Sequence, residues 1–328
     1  MQQILIIGFG SIGQRHFANL QAIGNNEISI VSNKPLMNDN IKAIFKSIDN
    51  AYSKNKFDTV IICTPTAQHI HDLQTVWNYG ARKIYVEKPI SNNYLHIQDF
   101  SKKIRAEKCQ IVIGYDLHFD PGFMKVKELV EKNVIGKVLS ANATVGQYLP
   151  DWRPNEDHKK GMSASIMKGG GVMLDLIHEL DYLYNLFGRV HYITAQKINS
   201  GCLEIETEEL AEILLKFKNG TLATVHLDYL QPALLRNCRL TGTQGSIVWN
   251  MAKTEVKWIT LDKKEFIYTY NSFSRNERFK EILKTFLMDH NDDRLCSFEQ
   301  ATESLKMIIA AKKAAEERKY IDLENYTF

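Results

Sequence analysis

Short apolar runs alternate with helix-like stretches through the first part of the chain. The runs that indicate buried strands are residues 4–7, 28–31, 59–63, 83–86 and 111–113. Each run is mostly apolar, which is typical of strands covered on both faces,. Repeated strand, helix and strand predict a parallel sheet with right-handed crossovers. We therefore expect a doubly wound α/β domain over residues 1–120.

The hydrophobic rhythm changes from about residue 136 onward. Apolar and polar positions now alternate, most clearly in residues 212–217, 221–229, 246–249 and 254–261. The tripeptide KNG at 218–220 is a hairpin signal between the first two of these runs,. This pattern predicts an α+β domain over residues 121–328, built on a large and mostly antiparallel sheet.

The clearest helix signal lies near the end of the chain. Ser297 and Gln300 form a capping-box pattern, and apolar residues follow at helical spacing,. We expect an amphipathic helix over about residues 297–317 that packs back on the first domain.

Composition narrows the class of protein. With 328 residues, 44% hydrophobic and 24% charged, the chain is long enough for two globular domains and does not resemble a disordered or collagenous protein,. A net charge of +3 is too small an excess to predict a nucleic-acid groove or a membrane-surface patch,. We therefore expect neither nucleic acid nor membrane as a partner.

The cysteines and the first residues indicate the compartment. Five cysteines lie far apart with no CxxC or metal-like spacing, which predicts reduced thiols and no metal site: Cys63, Cys109, Cys202, Cys238 and Cys296,. The start, MQQILIIGFG, has no basic region, and a glycine interrupts its apolar run,. A cytoplasmic location is expected.

A glycine motif follows the first predicted strand. Residues 8–13 read GFGSIG, which matches G-x-G-x-x-G between a strand and a helix,. Gly8 permits a tight turn, Gly10 lets a pyrophosphate approach the backbone, and Gly13 lets the helix pack on the strand. Ser11 and Ile12 open the helix, whose N-terminus carries partial positive charge. The motif predicts a Rossmann-type cofactor site, the alternative being a tight turn without a ligand.

The second predicted strand ends without an acidic residue. Ser32, Asn33 and Lys34 follow it, where an NAD-specific site usually has a carboxylate for the ribose hydroxyls. Hydroxyl, amide and ammonium groups suit a 2′-phosphate. This loop favours NADP over NAD, unless it is a solvated loop that touches no cofactor.

Further motifs stand at the carboxyl ends of predicted strands, where ligands bind in open parallel sheets. They are CTPTAQH at 63–69, EKP at 87–89, GY at 114–115, GGG at 169–171, and then Asp175 and His178. In this order they resemble the Gfo/Idh/MocA family of NAD(P)-dependent oxidoreductases. By this resemblance the cofactor contacts include Cys63, Thr64, Pro65, His69, Glu87 and Lys88.

The resemblance also implies catalytic roles. Lys88 is expected to contact the reacting oxygen and His178 to act as acid and base, since hydride transfer from an alcohol also needs a proton acceptor. Asp175 precedes His178 by three residues, so on one helix the two side chains share a face. Asp181 is expected to flank the imidazole from the other side.

Residues 147–154, QYLPDWRP, are similar to a segment of family members linked to surface-glycan sugars. Tyr148 and Trp152 are expected to stack on a sugar ring, and Arg153 to pair with an anionic group. Tyr115 is a further expected substrate contact. A cationic run before the glycines, Lys159, Lys160 and Lys168, supports the same idea. The alternative is a proline-stiffened connection packed by its aromatic residues.

The leading hypothesis is an NADP-preferring oxidoreductase acting on a sugar-like hydroxyl or ketone, with a nucleotide-linked or acidic sugar as substrate. Two alternatives stay open: a reductase of a non-sugar substrate such as a tetrapyrrole or cyclic imine, and a non-enzymatic NADP(H)-binding sensor. A homodimer or homotetramer through the open face of the second sheet is expected by resemblance.

Overall fold

The computed structural model describes residues 2–24, 26–35, 38–107, 109–288 and 291–328. Its strands are β1 Gln3–Ile7, β2 Glu27–Val31, β3 Ala43–Phe45, β4 Thr59–Ile62, β5 Lys83–Val86, β6 Gln110–Ile113, β7 Val138–Gly146, β8 Val190–Ile198, β9 Leu210–Phe217, β10 Leu222–Asp228, β11 Leu235–Gly242, β12 Gly245–Asn250, β13 Glu255–Thr260, β14 Glu265–Thr269, β15 Cys296–Ser297 and β16 Ile321–Asp322. Its α-helices are α1 Ser11–Ile23, α2 Ile48–Tyr52, α3 His69–Asn78, α4 Ile97–Arg105, α5 Pro121–Glu131, α6 Val172–Asp175, α7 His178–Phe187, α8 Arg275–Leu287 and α9 Phe298–Glu317. Among these helices none combines the length and the apolar character needed to cross a membrane.

The chain forms two compact units. The first contains the chain up to Asp116 together with Arg275–Thr302, and the second contains Leu117–Ser274 and Glu303–Phe328. This division differs from the expected one at residue 120, because residues 275–302 belong to the first unit. Helix α9 therefore begins in the first unit and continues into the second.

The first unit is built on a sheet of seven strands within the described residues, in the order β15-β6-β5-β4-β1-β2-β3. Neighbouring strands run parallel except β15, which is antiparallel to β6. All four residues of β4 are buried, as expected for a strand covered on both faces. The predicted parallel sheet is confirmed. β3 and β15 were not predicted, because such short strands carry too little apolar periodicity.

The second unit contains a sheet of nine strands in its described part, in the order β14-β13-β12-β11-β7-β10-β9-β8-β16. Only β7 and β10 pair in parallel among these neighbours. Alternate residues of β10 are buried, which matches the alternating sequence pattern,. The predicted, mostly antiparallel sheet is confirmed. Gly220 has a φ of +96° in the turn that joins β9 to β10, so the hairpin signal had a conformational basis.

The predicted capping box at the start of α9 is present. The backbone N–H of Gln300 donates to Ser297 Oγ over 3.2 Å, and the backbone N–H of Ser297 donates to Gln300 Oε1 over 2.9 Å. These two bonds satisfy amides that would otherwise lack partners at the helix start. The helix bounds lie within one residue of the predicted 297–317.

Candidate active site

The glycine motif joins β1 to α1 through a tight turn. Gly8 has a φ of +89°, and a Cβ atom there would lie 2.7 Å from the carbonyl oxygen of Cys63, so the turn requires glycine. Gly10 has nothing within 4 Å of its Cβ position. Helix α1 has neither a side-chain cap nor an acidic residue in its first turn. Open amides at a helix N-terminus suit an anion, so this loop fits the pyrophosphate of a dinucleotide.

The other residues of the motif are placed as a phosphate loop requires. A Cβ atom at Gly13 would lie 2.3 Å from the carbonyl oxygen of Gly8, which shows how closely α1 approaches the turn. Ser11 opens the helix with an exposed side chain, and Ile12 is half-buried. The helix axis is thereby held against the end of β1.

The loop after β2 presents polar groups. Ser32 is buried, and its hydroxyl accepts a hydrogen bond from the backbone N–H of Lys34 over 3.1 Å. Asn33 and Lys34 have exposed side chains. The loop holds no carboxylate between residues 32 and 38, so its chemistry is that of a donor set for an anion.

Cys63 and Thr64 follow β4 beside the glycine turn. Cys63 is buried, and burial followed by the charge of Glu87 raises the pKa of its thiol well above the usual range. Thr64 Oγ1 donates to Asp72 Oδ2 over 2.6 Å. Pro65 precedes a short 3₁₀ turn that leads into α3. These residues form the wall next to the glycine loop.

His69 does not present its ring to a ligand. The side chain is buried; Nδ1 lies 2.7 Å from the carbonyl oxygen of Pro89, and Nε2 lies 2.8 Å from that of Thr64. Burial lowers the pKa of His69, whereas the two carbonyl contacts and the charges of Glu87 and Asp72 oppose that shift. The expected cofactor contact at this residue is therefore replaced by a contact that joins two loops.

The EKP tripeptide follows β5. Glu87 is buried, and its Oε1 lies 2.6 Å from Nε2 of His16 on α1. Its side chain therefore points into the first unit, contrary to the expected cofactor contact. Lys88 is half-buried, and its bond to Pro89 is cis. Burial and the charge of Glu87 raise the pKa of the neighbouring Tyr85 well above its usual range, so that phenol stays neutral.

In the second unit the triple glycine leads into the short helix α6. Asp175 is the last residue of α6 and is buried. Its Oδ2 accepts a hydrogen bond from the hydroxyl of Tyr229 over 2.7 Å. Burial and then the charge of Asp175 raise the pKa of Tyr229 well above the usual range. Tyr229 thus remains a neutral donor that holds a buried carboxylate.

Asp175 and His178 do not share one helix, contrary to the sequence expectation. Helix α6 ends at Asp175, residues 176 and 177 form a turn, and α7 begins at the buried His178. Apolar residues continue at helical spacing through the break, so no sequence pattern indicates it.

Asp181 does not flank His178 as expected. Its Oδ2 lies 2.7 Å from Nε2 of His118, and its Oδ1 accepts from Ser304 Oγ over 3.1 Å. All three side chains are buried. This network holds the first turn of α7 and leaves Asp181 with a structural partner.

Residues 147–154, which were expected to contact the substrate, make several contacts within the second unit. Trp152 packs edge-on against Tyr229, with ring centroids 5.4 Å apart, and its indole N–H donates to the carbonyl of Gln147. Tyr148 is exposed. Arg153 pairs with Glu156 at 3.4 Å. The neighbouring lysines are also engaged, through Lys159–Glu204, Lys160–Asp157 and a bond from Lys168 to the carbonyl of Lys160.

Tyr115 differs from its expected role in the substrate site. It has no exposed surface and is among the largest fully buried side chains. It follows β6 in the first unit, where a large buried ring contributes to packing. We assign it to the core.

Two polar residues of these sites were missed by the sequence analysis. Tyr229 directly follows β10, and only the sheet brings it to Asp175. His16 lies on α1, three residues after the last glycine of the motif, and was not singled out. The one signal for His16 was an imidazole on the buried face of α1.

Comparison with known proteins agrees with this geometry. Residues 2–115 match the model of the oxidoreductase family with an NAD-binding Rossmann fold, and residues 123–248 match the GFO/IDH/MocA C-terminal domain. The chain belongs to the Gfo/Idh/MocA family. It is therefore an oxidoreductase of a family whose first domain binds NAD.

Relatives extend over the whole length. The myo-inositol 2-dehydrogenase of Thermotoga maritima is 24% identical and covers 98% of both chains. The scyllo-inositol dehydrogenase of Lactobacillus casei, crystallised with NAD(H) and scyllo-inositol, superposes with a TM-score of 0.82 at 19% identity over 99% of this chain and 100% of that one. A levoglucosan dehydrogenase in complex with NADH gives 0.84 at 16% identity over 98% of each chain. These likenesses do not support the expected link to surface-glycan sugars.

Proposed function

We propose that this oxidoreductase transfers a hydride between a nicotinamide cofactor and a secondary hydroxyl or ketone of a sugar or polyol. The observation that carries the proposal is the buried pair of Asp175 and Tyr229 next to the turn that leads to His178. A buried carboxylate that accepts from a neutral phenol, three residues before the proposed acid and base, is an arrangement expected in a site that handles protons,. The names of the relatives, two inositol dehydrogenases and a levoglucosan dehydrogenase, support a polyol or sugar substrate.

In the oxidative direction the substrate loses one proton from oxygen and one hydride from carbon, and the carbon–oxygen bond becomes double. His178 takes the proton on its imidazole. Lys88 donates a hydrogen bond to the same oxygen and stabilises negative charge on it as the proton leaves. The bound nicotinamide supplies the acceptor for the hydride with its two electrons. Reduction of the ketone reverses each transfer.

For the cofactor we propose a preference for NADP(H). Ser32, Asn33 and Lys34 offer a hydroxyl, an amide and an ammonium where a carboxylate would repel a 2′-phosphate,. The exposed side chain of Lys34 supports this choice. Lys34→Glu is expected to weaken NADPH binding by about tenfold or more and to leave NADH binding nearly unchanged. Fluorescence titration measures both, and tighter binding of NADH by the wild type would overturn the preference.

For the substrate we propose an uncharged or weakly charged sugar or polyol as the first class to test. Arg153 already pairs with Glu156, which reduces the support for an acidic or nucleotide-linked sugar. If a charged sugar is nevertheless preferred, its KM should rise with ionic strength. Arg153→Ala should then flatten that dependence.

We propose in addition a homodimer or homotetramer that uses the open face of the nine-stranded sheet. Leu222 is exposed on that face of β10, with Thr224 and His226 following at alternate positions. Light scattering after size exclusion measures the assembly. A monomer at micromolar concentration would overturn this part of the proposal.

The deciding experiment is a panel of substrates with NAD⁺ and NADP⁺: myo-inositol, scyllo-inositol, levoglucosan, glucose, glucuronate and a nucleotide sugar. Turnover is followed by nicotinamide absorbance. Lys88→Ala is expected to lower kcat by about 10³-fold or more with cofactor affinity retained, because its ammonium acts on the reacting oxygen. Cofactor binding without turnover of any panel member would favour the sensor. Turnover that survives Lys88→Ala would overturn the proposed role of that lysine.

A further inference from the structure

The residues on both sides of Lys88 are each held by a buried histidine. Glu87, which precedes the lysine, contacts Nε2 of His16. The carbonyl of Pro89, which follows it, contacts Nδ1 of His69. The two imidazoles come from different helices, α1 and α3. The tripeptide with the half-buried Lys88 at its centre is thereby held on both sides from inside the first unit.

The contact of His16 with Glu87 has a defined donor. A carboxylate only accepts hydrogen bonds, so Nε2 of His16 carries the hydrogen in the 2.6 Å contact,. Nδ1 of His16 is buried and has no hydrogen-bond partner among the described residues. A hydrogen on Nδ1 would therefore be buried without an acceptor, which is costly. The hydrogen that this contact requires is therefore the one on Nε2, which is donated to Glu87.

The carboxylate of Glu87 packs closely against Gly114. A Cβ atom at Gly114 would lie 2.5 Å from the hydroxyl oxygen of Tyr85 and 3.2 Å from Glu87 Oε1. Glycine at this position leaves room for both groups. The ring of His16 also packs edge-on against Tyr85 at 5.2 Å. The position of Glu87 is thus set by packing as well as by its hydrogen bond.

His69 holds the other flank more rigidly. Its two ring nitrogens face two carbonyl oxygens, those of Pro89 and Thr64, and its side chain is 1% exposed. A carbonyl oxygen can only accept, so whichever ring nitrogen carries the hydrogen donates it to one of these carbonyls, while the other nitrogen stays packed against the second,. The ring therefore ties the end of β4 to the end of β5, one residue beyond Lys88.

We propose that His16 and His69 form a clamp that positions Lys88 through its two neighbours. Both are positioning residues, because each acts through Glu87 or Pro89. His16 lies on the helix that the glycine motif begins, so the clamp also connects the phosphate loop with the lysine. The catalytic role of Lys88 rests on the proposed function. The effect of the clamp on the position of residues 87–89 does not depend on that function.

The first test measures backbone protection without any substrate. Amide hydrogen exchange is followed in a peptide covering residues 83–90, with NAD⁺ at saturation. His16→Leu keeps a similar side-chain volume but removes the donor, and exchange in this peptide is expected to rise about tenfold. His16→Gln retains an N–H donor and is expected to restore most of the protection. The matched control is His71→Leu, at an exposed histidine on the same helix as His69, which is expected to change nothing.

The second test separates positioning from a general loss of structure. With the panel substrate that turns over fastest, His16→Leu and His69→Leu are each expected to lower kcat by about 10- to 100-fold with KM and NAD⁺ affinity within about threefold. His16→Gln should recover part of kcat. In a Lys88→Ala background the same substitutions should have no further effect on kcat, because they act through the lysine.

The outcomes distinguish the clamp from the proposed function. Unchanged exchange and unchanged kcat in both leucine variants would overturn the clamp even if Lys88→Ala is inactive. A full effect of His16→Leu in the Lys88→Ala background would also overturn it. If Lys88→Ala keeps its turnover while exchange rises in His16→Leu, the proposed function fails and the clamp stands. Should His16→Leu fail to fold, His16→Gln and His69→Gln provide the same comparison.

Discussion

At the end of β10 two buried carboxylates, Asp228 and Asp175, are held by different kinds of hydrogen-bond donor. Asp228 closes β10 and lies on the same face as His226, whereas Tyr229, the next residue, points to the other face and binds Asp175,. Tyr229, which donates to Asp175, is a buried neutral phenol. The Asp228 partner is an imidazole whose pKa is raised to about 9, first by Asp228 and then, against the effect of burial, by Glu212.

The difference lies in what happens to the negative charge. His226 bridges Glu212 at 2.6 Å and Asp228 at 2.8 Å, so a cation compensates the two acids. Burial raises the pKa of Asp228, but the hydrogen bonds from His226 and from two backbone N–H groups outweigh burial and lower it. The phenol of Tyr229 gives Asp175 one hydrogen bond and no charge. The contact between His226 and Asp228 is thus compensated by opposite charge, whereas the contact between Tyr229 and Asp175 is made by a neutral donor,.

Replacing each aspartate by asparagine should give the largest difference between Asp175 and Asp228. Asp175→Asn is expected to lower kcat by about 10²-fold or more if His178 acts as the proposed acid and base, since the amide cannot supply a negative charge to that site. Asp228→Asn should keep kcat within about twofold and lower the free energy of unfolding by about 1–3 kcal/mol. Steady-state kinetics and denaturant unfolding check the pair. Equal losses of kcat in the two variants would abolish the distinction.

Removing the hydroxyl of Tyr229 tests how much the function of Asp175 depends on this hydrogen bond. Tyr229→Phe keeps the ring that packs against Trp152 but leaves Asp175 without its 2.7 Å hydrogen bond. We expect kcat to fall about tenfold with little change in KM. Tyr320→Phe, at a ring that is 65% exposed, is the control and should behave as wild type. An unchanged kcat in Tyr229→Phe would reduce this tyrosine to a packing residue.

The contacts of His226 with Asp228 and Glu212 should make the stability of the fold depend slightly on pH. An imidazole whose pKa rises on folding stabilises the fold fully below its unfolded pKa of about 6.5, and that contribution is lost as pH rises through about 9. Because His226 is partly exposed, we expect His226→Gln to cost about 1 kcal/mol at about pH 6 and almost nothing at about pH 10. Thermal unfolding at the two pH values measures this. The same loss at both would mean that charge on His226 is not responsible.

Features encoded by neighbouring residues were predictable from the sequence. The capping box of Ser297 and Gln300 and the turn at Gly8 depend on groups a few residues apart, and both are present with the expected geometry. The two sheets were predictable because apolar periodicity distinguishes strands covered on both faces from strands covered on one. Local chemistry and periodicity were therefore sufficient for the fold class.

The partners of buried polar residues were not predictable. Asp181 was expected beside His178, three residues away, but its partner His118 comes from 63 residues upstream. Tyr229 reaches Asp175 across 54 residues of sequence. Such pairs are determined by how sheet and helices pack, and no local periodicity reports them. The break in the helix after Asp175 belongs to the same group, since Leu176 and Ile177 are ordinary helix residues.

The first unit can be completed only late in the synthesis of the chain. Its sheet is completed at one edge by β15, which pairs with β6 through Cys296 and Ser297. A ribosome has therefore released nearly the whole second unit before the first can close. Until then the edge of β6, at Val112 and Ile113, presents unpaired backbone groups to other chains. A nascent chain that stalls near residue 274 carries that open edge, so a chaperone has its greatest opportunity to act on the domain that was made first.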